Sequence, residues 1–398
     1  MWLERLKNVS LLFLVVTIPF ARLYNINSYA IALFVITFLL SAKKKNFKPS
    51  HSWLLIAYYL LICISVLFID QADSLVNISK YVPLLLIPVV IFFIDYKKIA
   101  LTGFVYSVAF ASLISLIYTY VKSKGYIFYF HNPTEIIDLQ INYLSIFICF
   151  ALAVLYDQIL KTNIAKLRHY ILVPFFFFIL AILFNRTGII TSILVTTYFV
   201  LLYFKKQGNL KFIMGFIILF CLIMSYIFTR PIVRQKFSEI INQDFVGETD
   251  YSNGISSRLL SWQCSIENIK GAGFFGYGID KSTMILTDCY KSKLSVNSIQ
   301  YTNEYNSHNQ FLQTIMNFGI LGLLLLLSIY GGLLYVGIKN KDSLLIFYFI
   351  ILLIFGMTES FLIRQWGLVF FAFFTPFLFL KHASIRGIKP NETSTDIN

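Results

Sequence analysis

The stretch FLQTIMNFGILGLLLLLSIYGGLLYVGI fills residues 311–338 and contains no charged side chain. A helix needs about 20 apolar residues to cross the hydrocarbon core of a bilayer, and this stretch exceeds that length. Comparable apolar runs recur along the chain, which is 58% hydrophobic and 13% charged. We therefore predict an all-α polytopic membrane protein.

The apolar runs predict about twelve transmembrane helices, at residues 9–22, 27–41, 52–69, 80–94, 99–121, 140–157, 169–184, 187–204, 211–229, 311–338, 343–359 and 365–380. A long polar stretch separates the ninth run from the tenth and predicts a large external loop. The predicted organisation is spans one to nine in residues 1–229, the large loop in 230–310, spans ten to twelve in 311–380 and a cytoplasmic tail in 381–398.

The distribution of basic residues predicts the orientation of the chain. The formal net charge is +14, and most Lys and Arg outside the large loop lie in short segments on one side of the predicted bundle. Short basic segments of this kind face the cytoplasm. We therefore predict that both termini are cytoplasmic and that the large loop lies outside. The charge is interpreted as a topology signal that also meets anionic membrane lipids, not as a nucleic-acid surface.

The sequence GAGFFG at residues 271–276 matches the spacing of a dinucleotide-binding loop. It follows a helical pattern and lacks the strand–turn–helix context that such a loop requires. We interpret it as a turn, in which Gly276 and the nearby Gly278 let the backbone come close to another segment.

Two cysteines, Cys264 and Cys289, lie in the large loop. An oxidising compartment would permit a disulfide between them, but spacing alone leaves that bond open.

Two amphipathic patterns in the large loop predict helices. One covers residues 230–243. The other covers 256–270, with Ser256 or Ser257 as the N-cap. Arg258 would open this second helix, where it could join the first-turn N–H groups in binding a phosphate, or could simply be exposed to solvent. The predicted apolar stripe of the second helix consists of Leu259, Trp262, Ile266 and Ile269.

Two further titratable residues stand at predicted external ends of apolar runs. Arg186 lies where two runs meet, and it could bind an anion or extend to the membrane surface. His308 follows Ser307, the predicted N-cap of the tenth span, and it could act as a general base or as a packing residue. No neighbouring residues have the spacing of metal ligands, so we predict no metal site here. The predicted apolar stripe after His308 is Phe311, Leu312, Ile315 and Met316, with Gly319 and Gly322 as close-packing positions.

Three stretches carry a resemblance to a known family: NRTGII at 185–190, SRLLSWQCSIENIKGAGFFGYGID at 257–280 and SHNQFLQTIMNFGILG at 307–322. Their order, the large loop before the histidine and the number of apolar runs fit as well. On these motifs the chain resembles the O-antigen ligase and polymerase superfamily of bacterial membrane glycosyltransferases.

The resemblance implies a glycosyltransferase of the bacterial inner membrane, with its active site on the periplasmic side and no cofactor. It implies a glycan donor on undecaprenyl diphosphate. The acceptor is lipid A–core in ligases and a second lipid-linked glycan in polymerases. Arg186 and Arg258 would bind the donor diphosphate and His308 would be the catalytic residue, although the family often has Ser or Thr where Asn185 stands. The supporting positions would be Ser307, Asn309, Gly276 and Gly278.

The motif pattern favours a ligase over a polymerase, and direct attack by the acceptor hydroxyl predicts inversion at the sugar carbon. A protein O-oligosaccharyltransferase of the same superfamily is an alternative. A twelve-helix lipid or glycan transporter is another, although a carrier would be expected to have charged residues within its spans, which are almost free of charge here.

Overall fold

The computed structural model describes residues 2–40, 51–70, 74–94, 97–125, 133–208, 254–293 and 306–383, together with residues 215, 225 and 229. Most of the predicted span 211–229, the predicted helix 230–243 and most of the tail 381–398 lie outside these residues.

Every long regular element within the described residues is an α-helix. The helices are α1 (Trp2–Thr17), α2 (Ile26–Leu39), α3 (Trp53–Ser65), α4 (Ser74–Tyr81), α5 (Pro83–Ile91), α6 (Lys98–Lys122), α7 (Ile141–Thr162), α8 (Leu167–Leu183), α9 (Arg186–Gln207), α10 (Gly254–Ala272), α11 (Ile279–Lys293), α12 (Gln310–Lys339), α13 (Ser343–Thr358) and α14 (Gln365–Ala383).

The structure supports the prediction of a helical membrane protein. Four described helices, α6, α7, α9 and α12, are long and apolar enough to cross a membrane, and several shorter apolar helices accompany them. The number of twelve spans stays a prediction. Two boundaries differ: the first helix covers Trp2–Thr17 instead of 9–22, and the predicted run 80–94 is divided between α4 and α5. Pro83 begins α5, which suits the first turn of a helix.

Helix α7 lies at the centre of the bundle, and 17 of its 22 residues are buried. It contacts α6, α8, α9 and α13, as expected for a helix that is apolar on all faces. Aromatic rings fill the space between α6, α7 and α14. The centroid of the Phe374 ring lies 4.8 Å from that of Phe104 and 4.6 Å from that of Phe150, both in tilted, edge-on geometry.

A second, smaller hydrophobic core lies beside the bundle. Leu260, Cys264, Leu286, Tyr290 and Met316 form it, from α10, α11 and the first turns of α12. A disulfide joins Cys264 to Cys289 across this core, which answers the question that their spacing left open. By constraining the unfolded chain, such a bond contributes about 2–4 kcal/mol to stability.

The predicted stripe of α10 is only partly correct. Leu259 and Ile266 are exposed, whereas Trp262 and Ile269 are half-buried and Ile269 packs against the small core. The fully buried face includes Leu260, Ser261 and Ser265. The predicted cap is wrong, since the helix begins at Gly254 and Ser256 and Ser257 lie inside it.

Helix α12 contains a break at Gly319, where φ is 66° and ψ is −163°. The break leaves backbone groups without helical partners, and the turn at 273–278 pairs with them. The bonds run from Tyr277 N to Met316 O (2.8 Å), Gly278 N to Asn317 O (3.0 Å), Ile320 N to Gly273 O (3.2 Å) and Leu321 N to Phe274 O (3.2 Å). The two segments therefore approach through their backbones, as the glycine positions predict.

Gly319→Ala should destabilise the protein, whereas Gly331→Ala in the same helix should not. A Cβ at position 319 would lie 2.3 Å from Phe274 O, and the left-handed φ costs a non-glycine residue about 1–3 kcal/mol. A Cβ at position 331 would meet no atom within 4 Å. Thermal unfolding in detergent measures both variants. Equal melting temperatures would contradict the described contact between α12 and the turn.

The two ends of the bundle carry different polar clusters. At one end Asp342 pairs with Lys381 and lies 2.6 Å from His382 Nε2, and Asp157 accepts a hydrogen bond from Ser343 Oγ at 2.8 Å. At the other end lie the N-terminus of α7, the N-termini of α9 and α12, and the C-terminus of α13. Helix α7 separates the two ends by roughly 33 Å at 1.5 Å per residue. The candidate active site lies at the second end.

Candidate active site

His308 lies in a tight turn that precedes α12. Its φ is 45°, in the left-handed region that a histidine seldom adopts. Two hydrogen bonds hold the turn: His308 N donates to Asn306 Oδ1 at 2.8 Å, and Trp262 Nε1 donates to the carbonyl of His308 at 3.3 Å. Backbone strain that surrounding contacts maintain in this way is typical of functional sites.

Asn309 is the N-cap of α12, so the prediction of Ser307 as the cap is wrong. Asn309 Oδ1 accepts from Phe311 N at 3.0 Å and Leu312 N at 3.1 Å. Ser307 is buried and has another role: Ser265 Oγ donates to Ser307 Oγ at 2.8 Å. Asn309 thus fixes the start of the helix, while Ser307 attaches the turn to α10.

The predicted apolar stripe of α12 is only partly correct. Met316 is buried, but Phe311, Leu312 and Ile315 are half-buried, and the fully buried positions of the first turns are polar. Two glutamines there hold the segments on either side of the site. Gln313 Oε1 accepts from Ser307 N at 2.8 Å, and Gln310 Oε1 accepts from Leu362 N at 2.9 Å.

Glu359 faces His308, and sequence reasoning missed it. Its Oε1 lies 3.6 Å from His308 Nδ1, and its Oε2 lies 4.0 Å from an Arg258 guanidinium nitrogen. Asn142 Nδ2 donates to Oε2 at 2.6 Å. The carboxyl is buried just beyond the C-terminus of α13, outside the helix.

The surroundings of Glu359 favour its charged form. Burial alone would raise the pKa of the carboxyl, but His308, Arg258 and Asn142 outweigh burial and lower that pKa below its ordinary value. The group is therefore a carboxylate at neutral pH, with a histidine and an arginine on its two oxygens.

Arg258 and Arg186 come from different helices. Arg258 is the fifth residue of α10, so it lies inside the helix, about one turn after its start. It therefore does not bind a phosphate together with the free N–H groups of the first turn. Its side chain is partly exposed, at 31%. Arg186 is the first residue of α9 and is exposed.

Asn185 connects the start of α9 to the Glu359 cluster. Its Oδ1 accepts from Gly188 N at 2.6 Å and caps α9, while its Nδ2 donates to Asn142 Oδ1. A serine or threonine hydroxyl could cap the helix, but it has no NH2 group that could donate to Asn142 at the same time. The departure from the family pattern at this position therefore has a structural role here.

Gly276 and Gly278 support the site from a distance, with φ angles of 80° and 83°. A Cβ on Gly276 would lie 2.3 Å from Asn317 O. Both glycines allow the turn of the small core to lie against α12.

Among the described residues, no group of three or more His, Cys, Asp or Glu side chains is arranged to hold a metal ion.

Residues 171–327 match the family model of the O-antigen ligases. The matched segment includes Arg186, Arg258 and His308, whereas Asn142 and Glu359 lie outside it. No curated protein matches the chain. The family match supports a ligase-like or polymerase-like activity. Over this segment the chain resembles the O-antigen ligase superfamily, as its three motif stretches predict.

Proposed function

We propose that the protein is an O-antigen ligase-like glycosyltransferase. It would move a glycan from undecaprenyl diphosphate to a hydroxyl of lipid A–core, without a metal and with inversion at the sugar carbon. The observation that carries the proposal is the cluster of His308, Glu359 and Arg258. His308 and Arg258 lie in the segment that matches the O-antigen ligases, and Glu359 follows that segment in the chain.

His308 is the proposed general base. Its Nδ1 faces the Glu359 carboxylate at 3.6 Å, so its Nε2 would take the proton of the acceptor hydroxyl. The carboxylate would then stabilise the imidazolium that forms. An imidazole held by a buried carboxylate is a common arrangement for proton transfer near neutral pH.

Arg186 and Arg258 are the proposed ligands of the donor diphosphate. The acceptor oxygen would form its bond to the sugar carbon as the bond from that carbon to the diphosphate oxygen breaks. The electron pair leaves with undecaprenyl diphosphate, and two guanidinium groups would stabilise the charge that develops there.

The proposed location is the bacterial inner membrane, with both termini cytoplasmic and the site on the periplasmic side. The Cys264–Cys289 disulfide supports this side for α10 and α11, because such bonds persist in oxidising compartments. The basic charge of the opposite segments supports the same orientation.

A deletion strain distinguishes a ligase from a polymerase. Surface glycans are separated on a gel, and lipid-linked glycans are extracted from the same cells. We expect the deletion to leave long chains on undecaprenyl diphosphate and a bare lipid A–core, and the intact gene to restore the wild-type pattern. A lipid A–core that carries a single repeat unit would instead identify a polymerase. Unchanged glycans in the deletion strain would contradict both activities.

A further inference from the structure

A cavity of about 590 Å³ opens at the end of the bundle that carries the candidate active site. Residues of the α1–α2 connection, the α4–α5 connection and the start of α14 line it. Its rim has three cationic side chains, Arg22, Lys80 and Arg364, all exposed. The volume suits a headgroup of several polar groups rather than a single ion.

The rim carries more positive charge than the neighbouring carboxylates neutralise. Arg22 Nε lies 3.5 Å from Asp138 Oδ2. Lys80 Nζ donates to Asn77 Oδ1 at 3.0 Å, and Asn77 Nδ2 donates to Asp280 Oδ2 at 2.8 Å. Arg364 has no ion pair or side-chain hydrogen bond with any described residue. Three cations thus face two carboxylates, one of them only through Asn77, and the excess of positive charge favours an anionic ligand.

Trp366 provides an independent indication of a ligand. Its ring is 1% exposed and lines the cavity, yet its indole Nε1–H has no acceptor among the described residues. Buried donors nearly always have a partner, so this N–H indicates an acceptor oxygen on an occupant. The Arg22 guanidinium lies over the same ring, 5.3 Å from its centroid.

The inner wall of the cavity is apolar. Ile31 of α2, Leu86 of α5 and Leu368 of α14 line it, and Leu368 lies one helical turn after Arg364. A rim of cations above an apolar wall fits an amphipathic molecule whose phosphate lies at the membrane surface.

The cavity and the candidate active site share a wall. Leu362 lines the cavity, and it lies in the connection between Glu359 and α14. The ring of Trp366 lies 5.1 Å from that of Tyr143, which is next to Asn142, the donor to Glu359. A lipid in the cavity would therefore present its headgroup beside the Glu359 cluster.

We propose that this cavity binds the phosphorylated headgroup of the acceptor lipid. Its assignment to the acceptor rests on the proposed function, because Arg186 and Arg258 already account for the donor diphosphate. Arg22, Lys80 and Arg364 hold the headgroup phosphates, Trp366 donates to a headgroup oxygen, and the α2–α5 wall contacts an acyl chain.

Binding of diphosphoryl lipid A to the full-length protein in phosphatidylcholine nanodiscs tests the proposal, with dephosphorylated lipid A for comparison. We expect the triple variant Arg22→Gln, Lys80→Gln, Arg364→Gln to bind the phosphorylated lipid at least about tenfold more weakly and to lose its preference for phosphate. Lys122→Gln, Lys124→Gln, Lys270→Gln removes three exposed cations outside the cavity and should keep wild-type binding.

A cavity-filling pair tests the site without changing charge. Ala32→Trp, which lines the cavity, should weaken binding, whereas the neighbouring Leu33→Trp should not. Wild-type affinity in both the triple variant and Ala32→Trp would overturn the proposal, as would an equal loss in the control triple variant. The assay contains no glycan donor. Failure of the transfer activity would thus leave the binding result unaffected, and the two proposals can fail separately.

Discussion

His308→Ala should lower the rate of glycan transfer by a factor of about 100 to 10,000, the usual contribution of a general base. The change removes the proton acceptor that faces Glu359 at 3.6 Å. It should leave the turn largely in place, because the bonds that hold residue 308 use its backbone N–H and carbonyl. The rate is measured with purified protein, lipid-linked donor and lipid A–core.

A matched control is His51→Gln, since His51 is a partly buried histidine that packs on Phe379, 5.3 Å away between ring centroids. It should transfer glycan at the wild-type rate. If His308→Ala were as active as His51→Gln, His308 would be a packing residue and the proposed mechanism would be wrong.

Glu359→Gln should lower the rate of transfer by a factor of about 100 to 10,000 while keeping the shape of the side chain. A glutamine oxygen can still accept a hydrogen bond from Asn142, but the amide has no negative charge to balance Arg258 or a protonated His308. Glu359 is a positioning residue in this proposal, because it acts through His308. Glu359→Asp keeps the carboxylate and should recover part of the rate, which a purely structural role would not predict.

The stability of Glu359→Gln provides a separate check. The pKa of Glu359 is lowered, so its charge should stabilise the wild type above the ordinary pKa of a glutamate, and this advantage should disappear as the pH falls through the lowered pKa. Glu135→Gln is the control variant for both stability and rate of transfer, since Glu135 is an exposed carboxylate that accepts a hydrogen bond from Tyr118. The free energy of unfolding is measured against pH, and the rate is measured as for His308→Ala. Equal rates of transfer in the two glutamine variants would exclude Glu359 from the mechanism.

The sequence allows the prediction of the basic and imidazole groups of the candidate site. Arg186, Arg258 and His308 are recognisable because charged or titratable residues at the ends of apolar runs need an explanation. Glu359 was missed because the apolar run 343–359 absorbs it, and only the end of α13 at Thr358 shows that it lies outside the helix. Asn142 was missed because a neutral amide at a helix start gives no charge signal.

Hydrophobic periodicity found only part of the buried face of α10, for a physical reason. The face of α10 toward the turn of His308 contains serines, and Ser265 bonds to Ser307 there. A stripe assigned from apolar residues alone therefore selected exposed Leu259 and Ile266. Where part of a helix face packs through hydrogen bonds rather than apolar contact, hydropathy does not report that part.

The two hydrophobic cores meet within α12, since Met316 belongs to the small core and Phe318 to the bundle, next to the break at Gly319. The residues of the candidate site are divided along the same boundary. Arg258 lies on the small-core side and His308 in the turn attached to it, whereas Arg186, Asn142 and Glu359 belong to the bundle. The proposed site, with Arg258 beside Glu359, is thus complete only while the small core is seated on the bundle. Loosening the small core would therefore disassemble the proposed site before the membrane helices separate.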